Sequence, residues 1–302
     1  MPRRSTRSSR LLGLVALSAL ALGCRSQPKA RFPTAERALA RLAEQNACSH
    51  AVQGEASLAF SGDGRRLNGT VLFMANQPES LRLDVFSSLG ATITTLTSDG
   101  STFGLYNLPE KSFVYGPART CNVRRFTQVP VPPRSLVGLF RGLPPVLESQ
   151  KTSIRYDAPW FSPGSYVLGL DASNAHQEIR LGVHPDDYEQ PVERQRLRLL
   201  RVVTKRGDEV LYEVDLRGHA AAQNAPISQS EEEKAMGVPP PEPSGPPCQA
   251  ELPRETRFYV PASGYQLSFQ TKEVWHNPPL TPATFQQPVP GGVTLQESNC
   301  SD

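Results

Sequence analysis

The sequence predicts a mainly β protein built on a curled antiparallel sheet of about eleven strands, accompanied by two helices. Apolar and polar residues alternate in most segments between residues 53 and 273, which is the period of a half-buried strand. Gly, Asn, Asp and Pro separate these segments as turns. A sheet with so many strands curls or splits rather than staying flat, and a curled sheet closed by helices encloses an apolar cavity. A β-sandwich with a filled core is the alternative.

The first 23 residues have the pattern of a secretory signal peptide. Four arginines and no acid precede an apolar run from residue 11 to residue 22, followed by Gly23 and Cys24. The run is too short to span a bilayer, so we expect no transmembrane helix. A small residue directly before a cysteine resembles the lipobox of bacterial lipoproteins, which implies a lipid on Cys24. Cleavage by ordinary signal peptidase after residues 19–21 is the alternative.

The remaining chain is close to neutral, because loss of the four signal-peptide arginines changes the formal charge from +3 to about −1. Such a chain, with no basic run, lacks the electrostatic footprint of nucleic-acid binding. We expect a polar tether over residues 24–32, a β domain over residues 33–218 and 254–290, and a tail over residues 291–302. Residues 219–253 are rich in proline and contain three consecutive glutamates, so we predict a disordered excursion there.

Four cysteines remain after Cys24, and an even number in an exported protein suggests two disulfides with three alternative pairings. We favour Cys48 with Cys121, and Cys248 with Cys300, because the second bond would close the excursion and the tail. The cysteines and histidines do not have the spacing of a zinc site.

The sequence places the predicted helices and strands as follows. Thr34 is a candidate N-cap for a helix that extends to about Ala47, with small residues on one face. A second helix is expected from Ser135 to Gly142, after a run of prolines. The strands are expected around residues 53–60, 71–73, 81–85, 91–97, 102–107, 111–115, 166–171, 177–183, 196–204, 209–216, 257–260 and 265–273.

Catalytic chemistry is not indicated. The five histidines are scattered, and the sequence contains no nucleophile elbow, zinc-protease motif, P-loop or EF-hand loop. We therefore expect neither an enzyme nor a cofactor. Leu89 is a leucine within a predicted turn, and from the residues alone we expect it to tuck under the hairpin as core.

Two segments resemble the outer-membrane lipoprotein receptor LolB, in the family's order and at about its spacing. Residues 81–92 (Leu-Arg-Leu-Asp-Val-Phe-Ser-Ser-Leu-Gly-Ala-Thr) are similar to the family's strand that leads into a leucine-glycine loop. Residues 129–144 (Val-Pro-Val-Pro-Pro-Arg-Ser-Leu-Val-Gly-Leu-Phe-Arg-Gly-Leu-Pro) are similar to its proline run and short helix ending in Gly-Leu-Pro. The resemblance covers residues 53–145. The Pro-rich excursion, the four cysteines and the long tail depart from the family.

This resemblance implies a half-open β-barrel lidded by helices, a LolA/LolB-like fold whose apolar interior accepts lipoprotein acyl chains. Cargo would come from a periplasmic LolA-like carrier and enter the outer membrane. Leu89, with Gly90, would be the exposed loop that touches cargo or bilayer, which reverses the expectation from the residues alone. The candidate cavity-lining residues are Leu58, Phe60, Val71, Phe73, Leu81, Leu83 and Val85 on strands, and Leu136, Leu139 and Phe140 on the lid.

Three functional hypotheses follow from these observations. The first is a LolB-like lipoprotein facing the periplasm, since Arg25 stands where an aspartate would retain a lipoprotein in the inner membrane. The second is a carrier of another lipid, or an accessory to envelope assembly, on the same fold. The third is a structural or interaction module with a filled interior.

Overall fold

The protein is described by a computed structural model, which covers residues 27–159 and 163–300. Four α-helices lie in these ranges: α1 (Ala35–Gln45), α2 (Thr120–Thr127), α3 (Pro133–Phe140) and α4 (Glu231–Ala235). Three short 3₁₀ helices span Pro185–Asp187, Val192–Arg194 and Pro282–Phe285. The strands are β1 (Ala51–Gly62), β2 (Arg65–Asn76), β3 (Ser80–Ser87), β4 (Thr92–Ser98), β5 (Thr102–Asn107), β6 (Ser112–Pro117), β7 (Lys151–Asp157), β8 (Ser165–Asp171), β9 (His176–Val183), β10 (Leu197–Arg206), β11 (Glu209–Arg217), β12 (Ala220–Ala221), β13 (Gln223–Asn224), β14 (Glu251–Leu252), β15 (Glu255–Val260), β16 (Tyr265–His276) and β17 (Thr294–Glu297).

One open, curled sheet contains nearly all of these strands, which confirms the predicted fold class. Its order is β17, β6, β5, β4, β3, β2, β1, β16, β15, β11, β10, β9, β8, β7. The first six strands form a meander, and the late strand β16 pairs with β1 to join the two halves. Neighbours along this order are antiparallel except β17, which runs parallel to β6; β13 adds a short parallel pairing with β16.

The core lies on one face of the sheet, under α1 and α3. Cross-strand pairs such as Val71 with Val85 bring apolar side chains to this inner face. Helix α1 begins at the predicted N-cap, where the Thr34 hydroxyl accepts a hydrogen bond from the Arg37 amide at 3.3 Å. Its buried Ala35 and Ala38 are small, so the helix can pack closely on the strands. Helix α3 buries Leu136, Val137 and Leu139.

The turns between strands lie along two opposite margins of the sheet, where the strands begin and end. We call the margin that carries turns 63–64, 88–91, 207–208 and 261–264 the Leu89 edge. The opposite edge carries the turn 77–79 and the long connection 184–196, and we call it the N-terminal edge. This second name reflects where the first described residues lie.

Residues 27–32, predicted as a free tether, dock on the N-terminal edge. The Lys29 amide donates a hydrogen bond to the Tyr188 carbonyl at 2.9 Å, and the Gln195 side chain donates to the Ala30 carbonyl at 3.0 Å. The buried Phe32 ring packs edge-on against Tyr166, with 5.4 Å between centroids. The expectation of a polar tether was wrong for this part, because an aromatic residue near its end gains free energy by joining the core.

Both disulfides differ from the favoured pairing. Cys48 is bonded to Cys248, and Cys121 is bonded to Cys300. Strand order explains the second bond, because Cys121 follows β6 and Cys300 follows β17, its neighbour in the sheet. The predicted tail is therefore held at this side of the sheet.

The Pro-rich segment is anchored at both ends. Strand β12 pairs with β14, β13 pairs with β16, and the Cys248 amide donates a hydrogen bond to the Asn224 side chain at 2.8 Å. Most of residues 226–243 are exposed. Disorder over all of 219–253 was thus too broad an expectation, because composition reports on buried apolar area and does not anticipate backbone pairing or a cross-link.

Candidate functional site

The β3–β4 turn presents Leu89 to solvent. The Ser87 amide donates to the Ala91 carbonyl at 2.8 Å, and the Gly90 amide donates to the Ser87 carbonyl at 2.9 Å. Gly90 has a φ of +80°, a conformation that a residue without a Cβ adopts readily. These bonds fix the turn and leave the Leu89 side chain 94% exposed. The position therefore agrees with the LolB resemblance, and the expectation of a buried core leucine was wrong; its contact with cargo or bilayer stays a prediction.

The candidate cavity-lining residues share the inner face of the sheet and its helical cover. Phe140 of α3 stacks on Phe73 at 4.8 Å and meets Phe269 edge-on at 5.8 Å between ring centroids. In this structure they pack against one another, and their role as a lining for acyl chains stays a prediction. Phe60 and Phe140 are half-buried, and the buried ones are Leu58, Val71, Phe73, Leu81, Leu83, Val85, Leu136 and Leu139.

The inner face is less covered towards the Leu89 edge. Phe60 and Leu267 are opposite one another on β1 and β16, and both are half-buried, whereas Leu58 and Phe269, the next inward-facing pair, are buried. Tyr265 extends this tract outward, with its ring 5.6 Å from that of Phe60. An apolar path thus leads from the Leu89 edge into the core.

This path opens into a cleft of about 580 Å³ between α2 and the ends of strands β10, β11, β15 and β16. We call it the mouth. Its size is within the range of sites for small ligands. It is lined by Thr120, Cys121, Arg124, Gln128, Pro130, Arg206, Glu209, Leu211, Val260, Ala262, Ser263 and Tyr265.

Helix α2, which the sequence did not predict, forms one wall of the mouth and is held by the carboxyl-terminal segment. The Asn122 side chain donates to the Ser298 carbonyl at 3.0 Å, and the Ser298 hydroxyl donates to the Asn122 carboxamide oxygen at 2.7 Å. The Arg125 guanidinium donates to the same hydroxyl at 2.9 Å. Together with the Cys121–Cys300 bond, these contacts fix α2 to the tail.

A second cleft, of about 540 Å³, lies against β1, β2, β11, β15 and β16 and is lined largely by polar and charged side chains. Three of its four charged residues have partners, Arg66 being the exception among the described residues. Glu213 and Asp215 pair with Arg201 at 2.5 and 3.2 Å, and Arg257 pairs with Glu255. This outward cleft has the composition of a solvated sheet face, unlike the mouth.

Ser49 and His276 form the pair most similar to catalytic chemistry in the described residues. The Ser49 hydroxyl lies 3.0 Å from His276 Nδ1, and His276 Nε2 lies 2.9 Å from the Ala250 carbonyl. Since a carbonyl accepts, Nε2 donates and Nδ1 accepts from Ser49. Both side chains are fully buried, and burial lowers the pKa of His276. With Arg141 donating to the Ser49 carbonyl, we interpret the pair as a structural junction.

Cys24 and the predicted signal peptide over residues 1–23 lie outside the described residues. Within the ranges 27–159 and 163–300, no helix is long and apolar enough to cross a bilayer. The same ranges contain no cluster of His, Cys, Asp and Glu side chains able to hold a metal ion.

No protein-family model and no curated protein sequence matches this chain. A DUF1329 family protein from Desulfovibrio piger has a similar structure, with a TM-score of 0.52 and 11% identity over 83% of this chain and 96% of its own. An outer membrane lipoprotein-sorting protein domain from Vibrio parahaemolyticus aligns with a TM-score of 0.50 and 10% identity over 83% and 95%. A LolA superfamily protein from Nitrosomonas europaea aligns more weakly, with a TM-score of 0.45 and 10% identity over 85% and 99%. The first two likenesses show a shared fold, and none of the three singles out LolB.

Proposed function

We propose that this protein is an outer-membrane lipoprotein, anchored through Cys24 and facing the periplasm, that binds acyl chains between its sheet and helices. In this proposal it receives lipoproteins from a periplasmic LolA-like carrier and delivers them to the membrane. The observation that carries the proposal is that Leu89 protrudes at the same edge of the sheet as the apolar mouth.

The exposure of Leu89 is best explained by contact with an apolar partner. Burying a leucine side chain stabilises a folded protein by about 1.5–3 kcal/mol, and Leu89 does not contribute this free energy because it is exposed. The polar bonds of the turn hold the side chain outward instead of letting it collapse onto the strands. A bilayer or an acylated cargo would recover that free energy.

Acyl-chain binding requires the interior to open. Each buried methylene contributes about 0.8 kcal/mol to binding. The burial of an acyl chain therefore offsets the apolar contacts that the displaced side chains lose. Helices α2 and α3 are the elements that would have to move, because they cover the inner face beside the mouth. Transfer between carrier, protein and bilayer then follows differences in affinity.

Leu89→Glu tests the proposal in the domain with Cys24 replaced by Ala. Native mass spectrometry with lipid extraction measures acyl-chain binding, and transfer of a fluorescent triacylated lipopeptide to liposomes measures delivery. We expect bound acyl chains in both proteins, and delivery reduced about tenfold or more in the variant, because the apolar contact is replaced by a charge.

Met236→Glu is a matched control, since Met236 is 71% exposed and lies in the Pro-rich segment. It should deliver the lipopeptide as the parent does. Absence of co-purified lipid together with equal delivery by all three proteins would contradict the proposal and favour a structural module.

A further inference from the structure

The mouth combines an apolar floor with a basic rim. Leu211, Val260 and Tyr265 are half-buried and form a surface suited to an alkyl chain. Arg124 at the end of α2 and Arg206 at the β10–β11 turn line the same cleft and are exposed. Its lining contains one acidic residue, Glu209.

The two arginines differ from Arg201 of the outer sheet face. Over the described ranges, neither guanidinium group has a hydrogen bond or an ion pair, and Glu209 is not within salt-bridge distance of either. Arg201, in contrast, bonds to Glu213 and Asp215 on the neighbouring strand. The rim of the mouth therefore offers free donors for an anion.

We infer that the mouth binds an amphiphile with a phosphate headgroup, whose chain lies on the apolar floor while Arg124 and Arg206 hold the phosphate. Guanidinium groups bind phosphate oxygens through charge-assisted, often bidentate hydrogen bonds. The inference rests on the acyl-binding part of the proposed function and names a ligand class for it, an anionic phospholipid. A neutral acylated headgroup would leave both arginines without a partner.

The inference can be tested with two probes that share one chain length. Dodecyl phosphate and dodecyl maltoside are titrated below their micelle concentrations into the parent domain, and binding is measured by calorimetry. We expect dodecyl phosphate to bind about tenfold more tightly than the maltoside. In the Arg124→Gln, Arg206→Gln double variant this preference should disappear while maltoside affinity stays unchanged, and Glu209→Gln should strengthen phosphate binding.

Arg217→Gln is the matched control, because Arg217 is exposed at the opposite end of β11. It should keep the full preference, and urea unfolding should show that every variant is folded. Equal affinity for the two probes would overturn the headgroup inference and leave acyl binding intact, whereas failure of both to bind would overturn acyl binding itself. If inorganic phosphate binds as tightly as dodecyl phosphate, the site recognises a free anion and the lipid assignment is wrong.

Discussion

His219 should make the stability of the fold depend on pH. It lies just after β11, where its Nε2 atom is buried without a hydrogen-bond partner in the described part of the chain. Burial lowers the pKa of His219 to about 4, and the charge of nearby Arg198 acts in the same direction. Arg198 is itself fixed by two bonds to Glu251, at 2.6 and 2.9 Å.

The sign and size of the effect follow from this pKa. In the unfolded chain a histidine titrates near 6.5, so between about pH 6.5 and about pH 4 the unfolded state binds a proton that the folded state does not. The free energy of unfolding is therefore highest above this window. It falls by about 3 kcal/mol as the pH drops through it.

Equilibrium urea unfolding from about pH 7 to about pH 4 measures this loss in the parent and in His219→Gln. Glutamine does not titrate, and His276 and the carboxylates are present in both proteins, so the difference between the two curves isolates His219. We expect the parent to lose about 3 kcal/mol more than the variant. Parallel curves would show that His219 is hydrated or charged in the folded protein and would refute the reasoning.

Two other contacts yield predictions of stability. Replacing Cys121 and Cys300 together by serine removes a cross-link between residues 179 positions apart, and this should lower the free energy of urea unfolding by about 2–5 kcal/mol. Deuterium exchange should become faster in α2 but not in α1. Unchanged exchange in α2 would mean that the tail does not hold this helix. Phe140→Ala should cost about 3–5 kcal/mol, because Phe140 stacks on Phe73 and meets Phe269 edge-on. Val146→Ala, at a side chain 55% exposed, should change the unfolding free energy by less than about 0.5 kcal/mol, and an equally small effect at Phe140 would mean that α3 is loosely packed.

The regular part of the fold could be predicted from local patterns. Thr34 and the small residues after it predicted α1, and strict alternation in residues 81–85 predicted β3 with its inner face. Strand β7 was missed because Lys-Thr-Ser-Ile-Arg-Tyr-Asp has few apolar residues, as suits the last strand of a sheet. Helix α2 was missed because Thr-Cys-Asn-Val-Arg-Arg-Phe-Thr has weak helical preference and takes its position from the tail.

The candidate site depended on information of longer range. Leu89 was singled out as exposed by the resemblance to LolB, whereas its own neighbours favoured a buried residue. Arg124 and Arg206 are 82 residues apart in the sequence and line one cleft only because α2 lies beside the β10–β11 turn. The disulfide pairing likewise required the strand order, since composition cannot distinguish among three pairings.

The docking of residues 27–32 on the N-terminal edge constrains how the domain would stand on a bilayer. Five residue steps separate Cys24 from the bonded Lys29 and span at most about 18 Å, whereas the seven residue steps of β3, which leads to the Leu89 turn, rise about 23 Å. A lipid on Cys24 would thus keep the N-terminal edge near the headgroups and favour an upright posture with Leu89 pointing into the periplasm. In that orientation the loop would meet an arriving carrier first. The domain would have to tilt about the short connection between Cys24 and Lys29 before Leu89 touched the bilayer.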